Sequence, residues 1–321
     1  QSPGSGPVRS FTPSGRQVSF ADTAPESTWT LFVRAVDRKQ NKSSWATAVV
    51  QTPKRPVLIA LGDSVTAGHH KDTAEGGTSC RDAGYSYASS VAAGLNASLP
   101  AVWSLDYVNW AQSGYSTRQV LGLDSNADAC GLTHPGAAPI ARVEAELASR
   151  PGSWNRVVVT AGVNDTNWSA TLVAMIPDSQ VPGAGGSFCY TDLELLWNFD
   201  EKEEQILSGV DEIASRLEAA DPTAKIVWNG YFNMAGSGPL NARCHDAVQT
   251  GLNTLQSAIS TGLAGHSATL VSNSSLTAAH IQDWFWTDAP ANLVQGIPPG
   301  WPHPNQAGAT RIASNDLPAL R

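Results

Sequence analysis

Five short runs of β-branched and apolar residues recur along this chain: VLIAL (57–61), LDYVN (105–109), RVVVTA (156–161), KIVWN (225–229) and ATLVS (268–272). A helix-length segment fills each gap. The clearest is DEKEEQILSGVDEIASRLEAADP, in which Ile206, Val210, Ile213 and Leu217 recur at three- and four-residue steps until Asp221-Pro222 closes the pattern. Similar spans fit 85–95, 140–150, 240–263 and 306–317. A strand that is apolar along its whole length needs cover on both faces, and a parallel partner needs a long crossover. The alternation therefore predicts a three-layer α/β/α sandwich around a parallel sheet of about five strands. In such sheets ligands bind beyond the carboxyl ends of the strands.

The N-terminal part reads differently. Residues 1–25 are rich in Gly, Pro and Ser, as in a flexible lead-in. Residues 28–36, TWTLFVRAV, alternate with the period of a strand, placing Trp29, Leu31, Val33 and Ala35 on one face. A polar turn then leads to a second strand-like run, WATAVVQT. Residues 19–53 resemble the second half of a fibronectin type III domain, with Lys39-Gln40-Asn41 where that module has a small residue followed by Gly-Asn. The linker at Lys54-Arg55-Pro56 separates this lead-in and small β appendage, residues 1–55, from the α/β domain spanning 56–321.

Charge and cysteine usage narrow the functional classes. A net charge of −8 without a Lys/Arg cluster argues against nucleic acid as a partner. No apolar run approaches the roughly 20 residues of a transmembrane helix. The opening QSPGSGPVRS has no hydrophobic leader run, so any leader was removed or lies upstream. Cys80, Cys130, Cys189 and Cys244 lie in loop-like stretches with no C-x-x-C pair, which disfavours zinc and redox motifs. Three pairings are possible. Cys80–Cys130 with Cys189–Cys244 staples neighbouring loops, and a disulfide framework implies secretion. The expected state is a monomer.

The candidate chemistry sits at the strand ends. Gly62-Asp63-Ser64-Val65-Thr66-Ala67-Gly68 follows the first core strand, Asn109-Trp110-Ala111-Gln112-Ser113-Gly114 the second, and Gly162-Val163-Asn164-Asp165 the third. His303-Pro304-Asn305 precedes the last helical span. The ordinary structural reading of the first block alone is a β-to-helix turn with Ser64 as the helix cap. Together, in this order, the four blocks resemble the GDSL or SGNH hydrolases over residues 57–317. The resemblance implies a flavodoxin-like SGNH fold, no cofactor and no metal. It makes Ser64 the nucleophile and His303 the general base. It builds an oxyanion hole from the backbone N–H groups of Ser64 and Gly114 and the amide of Asn164. A serine hydroxyl needs a base within reach, and the tetrahedral intermediate needs fixed donors around its oxygen. The family usually has Asp three residues before the histidine, where this chain has Gly300. The orienter of His303 is then the Gly300 carbonyl or a displaced Asp283 or Asp288.

Other features carry less. His69-His70 with Asp72 lacks a third ligand at motif spacing. His134, His245, His266 and His280 read as structural or solvated. Asn96, Asn164, Asn167 and Asn273 each head an N-x-S/T glycosylation pattern, and a glycan on Asn164 would abolish the oxyanion hole. Among 11 tryptophans, Trp168, Trp197, Trp284, Trp286 and Trp301 serve packing or, as a group, line an apolar cleft. The run Pro182-Gly183-Ala184-Gly185-Gly186 would let the insertion 166–199 act as a lid. The expectation is a secreted carboxylic ester hydrolase acting on a small-molecule, lipid or acylated-glycan ester. A polysaccharide O-deacetylase and a phospholipase are the alternatives within enzymes, and a decayed, non-catalytic binding module is the alternative outside them.

Overall fold

The computed structural model describes residues 25–68, 70–71, 78–79, 86–101, 103–125, 136–166, 168, 199–233, 242–276 and 303–321. The chain forms two compact units, Gln1–Thr52 with Pro100–Trp103, and Pro53–Leu99 with Ser104–Arg321.

The first unit is a hairpin of β1 (Thr28–Val33) and β2 (Ala46–Gln51), antiparallel with Thr28 opposite Gln51 and Val33 opposite Ala46. Its turn is held by Asp37, whose carboxylate accepts from the N–H groups of Lys39 and Asn41 and from Asn41 Nδ2, each at 2.8 Å. Those bonds, the Asn41 side chain foremost, hold the Asp37 carboxyl below the usual range. Gln40 takes φ 66° there, the left-handed conformation that a glycine adopts more readily. Phe32 meets Trp45 edge to face with centroids 6.4 Å apart, and the Arg34 guanidinium lies 4.4 Å over the Trp45 ring.

The second unit carries a five-stranded parallel sheet. Its strands are β3 (Val57–Gly62), β6 (Asp106–Asn109), β7 (Asn155–Thr160), β8 (Lys225–Asn229) and β9 (Thr269–Val271), in the order β6-β3-β7-β8-β9. A two-residue ladder of β4 (His70–Lys71) with β5 (Thr78–Ser79) lies apart from it. Every residue of β3 and β7 is buried, as their continuous apolar runs require, whereas edge strand β6 is half-buried throughout. After β3 the chain crosses to β6 on one side; after β6 it returns past β3 to β7 on the other. That reversal is the topological switch point of an open α/β sheet, and a crevice opens there at the strand ends.

Helices cover both faces. α2 (Tyr87–Asn96) packs against α7 (Gln306–Leu320) on one. α3 (Thr117–Leu121), α4 (Pro139–Ala148), α5 (Phe199–Ala220) and α6 (Ala242–Gly262) pack together on the other. The predicted face of α5 is the one that is buried: Ile206, Val210, Ile213 and Leu217 are fully enclosed. Truncating any of them to Ala typically costs about 2–5 kcal/mol. His266 ties α5 to the turn before β9, its two ring nitrogens each 3.0 Å from a carboxylate, Glu218 and Asp211.

The direction of α7 positions the site. Near its end, the Leu320 carbonyl accepts from Arg156 Nε at the start of β7 at 2.5 Å. One turn earlier, Asp316 accepts from Asn229 Nδ2 at the finish of β8 at 2.9 Å. The helix therefore runs antiparallel to the strands, and its first turn lies at their carboxyl edge.

Candidate active site

Ser64 opens α1 (Ser64–Ala67) directly beyond β3. The cap of this short helix is Asp63, not Ser64: its Oδ1 accepts from Val65 N at 3.0 Å, which leaves the serine hydroxyl outside the capping bond. The turn is tight because Gly62 adopts φ 120°, with the Thr160 carbonyl where a Cβ would stand. Asp63 N–H then bonds that same Thr160 oxygen at 2.8 Å. Behind the turn, the buried hydroxyls of Thr66, Tyr87 and Thr160 close a triangle of 2.7, 2.8 and 3.1 Å. Ser64 itself is 6% exposed.

The second block lies alongside. Trp110 N–H bonds the Ala60 carbonyl at 2.8 Å and Gln112 N–H bonds the Gly62 carbonyl at 2.9 Å. The loop that ends in Gly114 is thereby fastened to the strand that delivers Ser64. Gly114 has φ 80°, a conformation that costs a side-chain-bearing residue energy.

Asn164 is the middle residue of a single 3-10 turn, Val163–Asp165, beyond β7. Its Nδ2 donates to the carbonyl of Tyr115, the residue after Gly114, at 3.1 Å. Its Oδ1 accepts from Trp168 Nε1 at 2.8 Å. Asp165 anchors the turn from below, accepting from Thr117 N at 2.9 Å, Thr117 Oγ1 at 2.7 Å and Gln205 Nε2 at 2.9 Å. Burial raises the Asp165 carboxyl above its ordinary range, opposed by those three bonds.

His303 stands just before α7, whose cap Asn305 accepts from Gly308 N at 3.0 Å. At 8% exposure it is nearly enclosed. Given the direction of α7, it sits at the carboxyl edge of the sheet, the edge that carries Ser64, Gly114 and Asn164. The four predicted residues thus share one end of the fold. Gly300, Asp283, Asp288 and four of the five grouped tryptophans (all but Trp168) lie outside the described residues. So do Cys80, Cys130 and Cys189, and the Cys244 side chain is not described, so both predicted disulfides lie outside them as well.

Sequence reasoning passed over the residue that ties these blocks together. Tyr231, two residues past β8, donates to Asp63 Oδ2 and accepts from Val163 N–H at 3.2 Å. One phenol thus joins the Ser64 turn to the Asn164 turn. Burial drives both partners toward their neutral forms, the Asp63 carboxyl up to about 7 and the Tyr231 phenol well above its ordinary value. A tyrosine just past a core strand carries no motif in the sequence that marks it.

Among the described residues no cluster of three His, Cys, Asp or Glu side chains could hold a metal ion. Among them no helix is long and apolar enough to cross a membrane. Of the four glycosylation patterns, Asn273 is buried, its Nδ2 donating to Asn229 Oδ1 and the Gly230 carbonyl. A glycan has no access to it.

Comparison with known proteins gives a consistent picture. The profile of the GDSL-like Lipase/Acylhydrolase family matches residues 60–311. The fold is similar to that of an extracellular lipase from Streptomyces rimosus, with a TM-score of 0.53 and 19% identity over 83% of this chain and 98% of that one. It is also similar to that of a phospholipase A1 from Streptomyces albidoflavus, with a TM-score of 0.52 and 22% identity over 82% and 97% of the two chains. No curated protein sequence matches this chain.

Proposed function

This chain belongs to the GDSL-like lipase/acylhydrolase family, a family of serine carboxylester hydrolases, and on that premise we propose that it cleaves its ester through an acyl enzyme on Ser64. His303 takes the hydroxyl proton as Ser64 Oγ attacks the ester carbonyl. The carbonyl oxygen, now negative, is received by the N–H groups of Ser64 and Gly114 and by Asn164 Nδ2. Collapse of the tetrahedral intermediate breaks the bond to the alcohol oxygen, and His303 returns the proton to that leaving group. Water, deprotonated by His303, then attacks the acyl-serine, releasing the acid and restoring the hydroxyl.

The observation that carries this reading is the pair of hydrogen-bonded links between the blocks: Asp63 to Val163 through Tyr231, and Asn164 to the carbonyl beside Gly114. A nucleophile turn and an oxyanion hole must be held in fixed register, because preorganised donors act without reorganising during the reaction. These links supply such a register from four separate parts of the sequence.

The remaining assignments rest on sequence. With Gly300 in place of the usual Asp, the Gly300 carbonyl accepts the Nδ1–H of His303, giving a Ser–His dyad; Asp283 and Asp288 are the alternative acceptors. A carbonyl selects the correct tautomer, so Asp283→Asn and Asp288→Asn each leave kcat within about tenfold, whereas a thousandfold loss in either identifies a displaced triad. The enzyme is a secreted monomer with two disulfides, and thiol titration of the unreduced, denatured protein finds no free cysteine.

The deciding test is hydrolysis of p-nitrophenyl esters from acetate to palmitate by wild type and Ser64→Ala in parallel. Activity should fall by roughly 10⁶ in kcat in the variant. An optimum at acetate favours an esterase or glycan deacetylase, and one at long acyl chains favours a lipase or phospholipase. Equal rates in both proteins would refute the assignment of Ser64.

A further inference from the structure

The geometry points to Trp168 as a positioning residue for the oxyanion hole: its indole N–H fixes the plane and sense of the Asn164 amide. This inference rests on Asn164 being an oxyanion donor.

A side-chain amide can rotate by half a turn and exchange its donor for its acceptor, and an asparagine at the rim of a site gains nothing if its oxygen faces the developing negative charge. Here the two neighbours of the amide leave it one orientation. The indole Nε1–H of Trp168 is a donor only, and it lies 2.8 Å from Oδ1. The Tyr115 carbonyl is an acceptor only, and it lies 3.1 Å from Nδ2. Reversing the amide would set two N–H donors against each other and two oxygens against each other. The oxygen and one amide hydrogen are thereby occupied. The second Nδ2 hydrogen is the only part of the amide left for a substrate oxygen, and its direction is set by the other two.

Trp168 is held well enough to do this. Its ring is half-buried and packs against the hydrophobic core of the second unit. The turn between the two residues is closed by Thr166, whose hydroxyl bonds the Val163 carbonyl at 2.7 Å. The backbone and the indole therefore constrain Asn164 independently: Asp165 anchors the main chain, while Trp168 sets the side-chain torsion. Packing alone would be served equally by phenylalanine, which has no donor.

That difference supplies the experiment, made on the full chain. Trp168→Phe, Asn164→Ala and the double variant are compared with wild type in kcat and KM on p-nitrophenyl acetate, and in thermal midpoint. Trp168→Phe should lower kcat about tenfold to a hundredfold, less than the roughly 10²–10³ lost on removing an oxyanion donor outright in Asn164→Ala, with KM within about twofold. The double variant should match Asn164→Ala, because a positioning bond has no effect once the amide is gone. Wild-type kcat in Trp168→Phe, or an equal loss with and without Asn164, overturns the role of Trp168 alone. Wild-type kcat in Asn164→Ala overturns the oxyanion assignment and the present inference with it. An activity-independent readout is the side-chain ¹⁵N–¹H₂ signal of Asn164. Its hydrogens should exchange with solvent slowly in the wild type and faster in Trp168→Phe, where the amide is no longer held; an unchanged exchange rate overturns the inference.

Discussion

Tyr231 donates its phenolic hydrogen to Asp63 Oδ2 at 2.5 Å, across 168 residues of sequence. Both groups are buried, and the phenol oxygen in turn accepts the Val163 N–H. One hydroxyl thereby serves as donor to the turn that carries Ser64 and as acceptor for the turn that carries Asn164.

Tyr231→Phe removes both bonds while keeping the ring. It leaves a buried carboxyl without its side-chain donor and a buried N–H without its acceptor, a cost of about 1–3 kcal/mol for each group left unpaired. The variant should fold with a lower denaturant midpoint. Its kcat should fall at least tenfold with KM little changed, since misplacement by about 1 Å of a group around the reacting carbonyl costs up to about 10². Steady-state kinetics alongside chemical denaturation check this, and undiminished kcat would show that the link is structural only.

Stability should decline as pH rises from about 4 to 7. Burial holds the carboxyls of Asp63 and Asp316 at about 7, above their ordinary 3.8. Between those values the folded protein binds more protons than the unfolded chain, so raising the pH favours unfolding. For Asp316 the rise corresponds to roughly 4 kcal/mol between its two protonation states. His266 acts in the same sense. Glu218 and Asp211 raise its pKa above 6.5, so its contribution is complete below the unfolded value and is lost as pH climbs through the folded one. Asp316→Asn should flatten the decline measured by thermal midpoints between pH 4 and 8. A variant with the wild-type slope would mean that Asp316 does not titrate in this window.

Gly62→Ala should prevent folding, and Gly152→Ala should be tolerated. Both glycines have positive φ, 120° and 73°. A Cβ at position 62 would stand 2.0 Å from the Thr160 carbonyl oxygen, whereas one at 152 would meet nothing within 4 Å. The second substitution therefore costs only the left-handed backbone, about 1–2 kcal/mol. The first must also move β7 away from the nucleophile turn. Soluble yield and circular dichroism distinguish them, and a well-folded Gly62→Ala would contradict the tight turn.

Much of this was legible because periodicity records burial. The five apolar runs are the five sheet strands, and the three- and four-residue steps of α5 mark its enclosed face. The order β6-β3-β7-β8-β9 was not legible, because a crossover in sequence does not say on which side of β3 the next strand lands. α1 and α3 are too short to display a period. The pattern predicts a helix over 306–317, whereas α7 extends to Leu320 through Pro318, whose missing N–H forgoes the bond to the Ser314 carbonyl. The four family residues could be found from the sequence; Tyr231 could not, because its function depends on two partners that only folding brings near. For Trp168 the sequence indicates packing or a cleft lining, since it does not distinguish an indole that fills space from one that donates a hydrogen bond.

The path of α7 has a mechanical consequence. The residue proposed to move the proton is mounted at one end of a rigid strut, and the strut is clamped at the other, where Arg156 grips the Leu320 carbonyl and Asn229 holds Asp316. The setting of the base is therefore tied to contacts made by the far end of its helix, well removed in sequence from His303 itself.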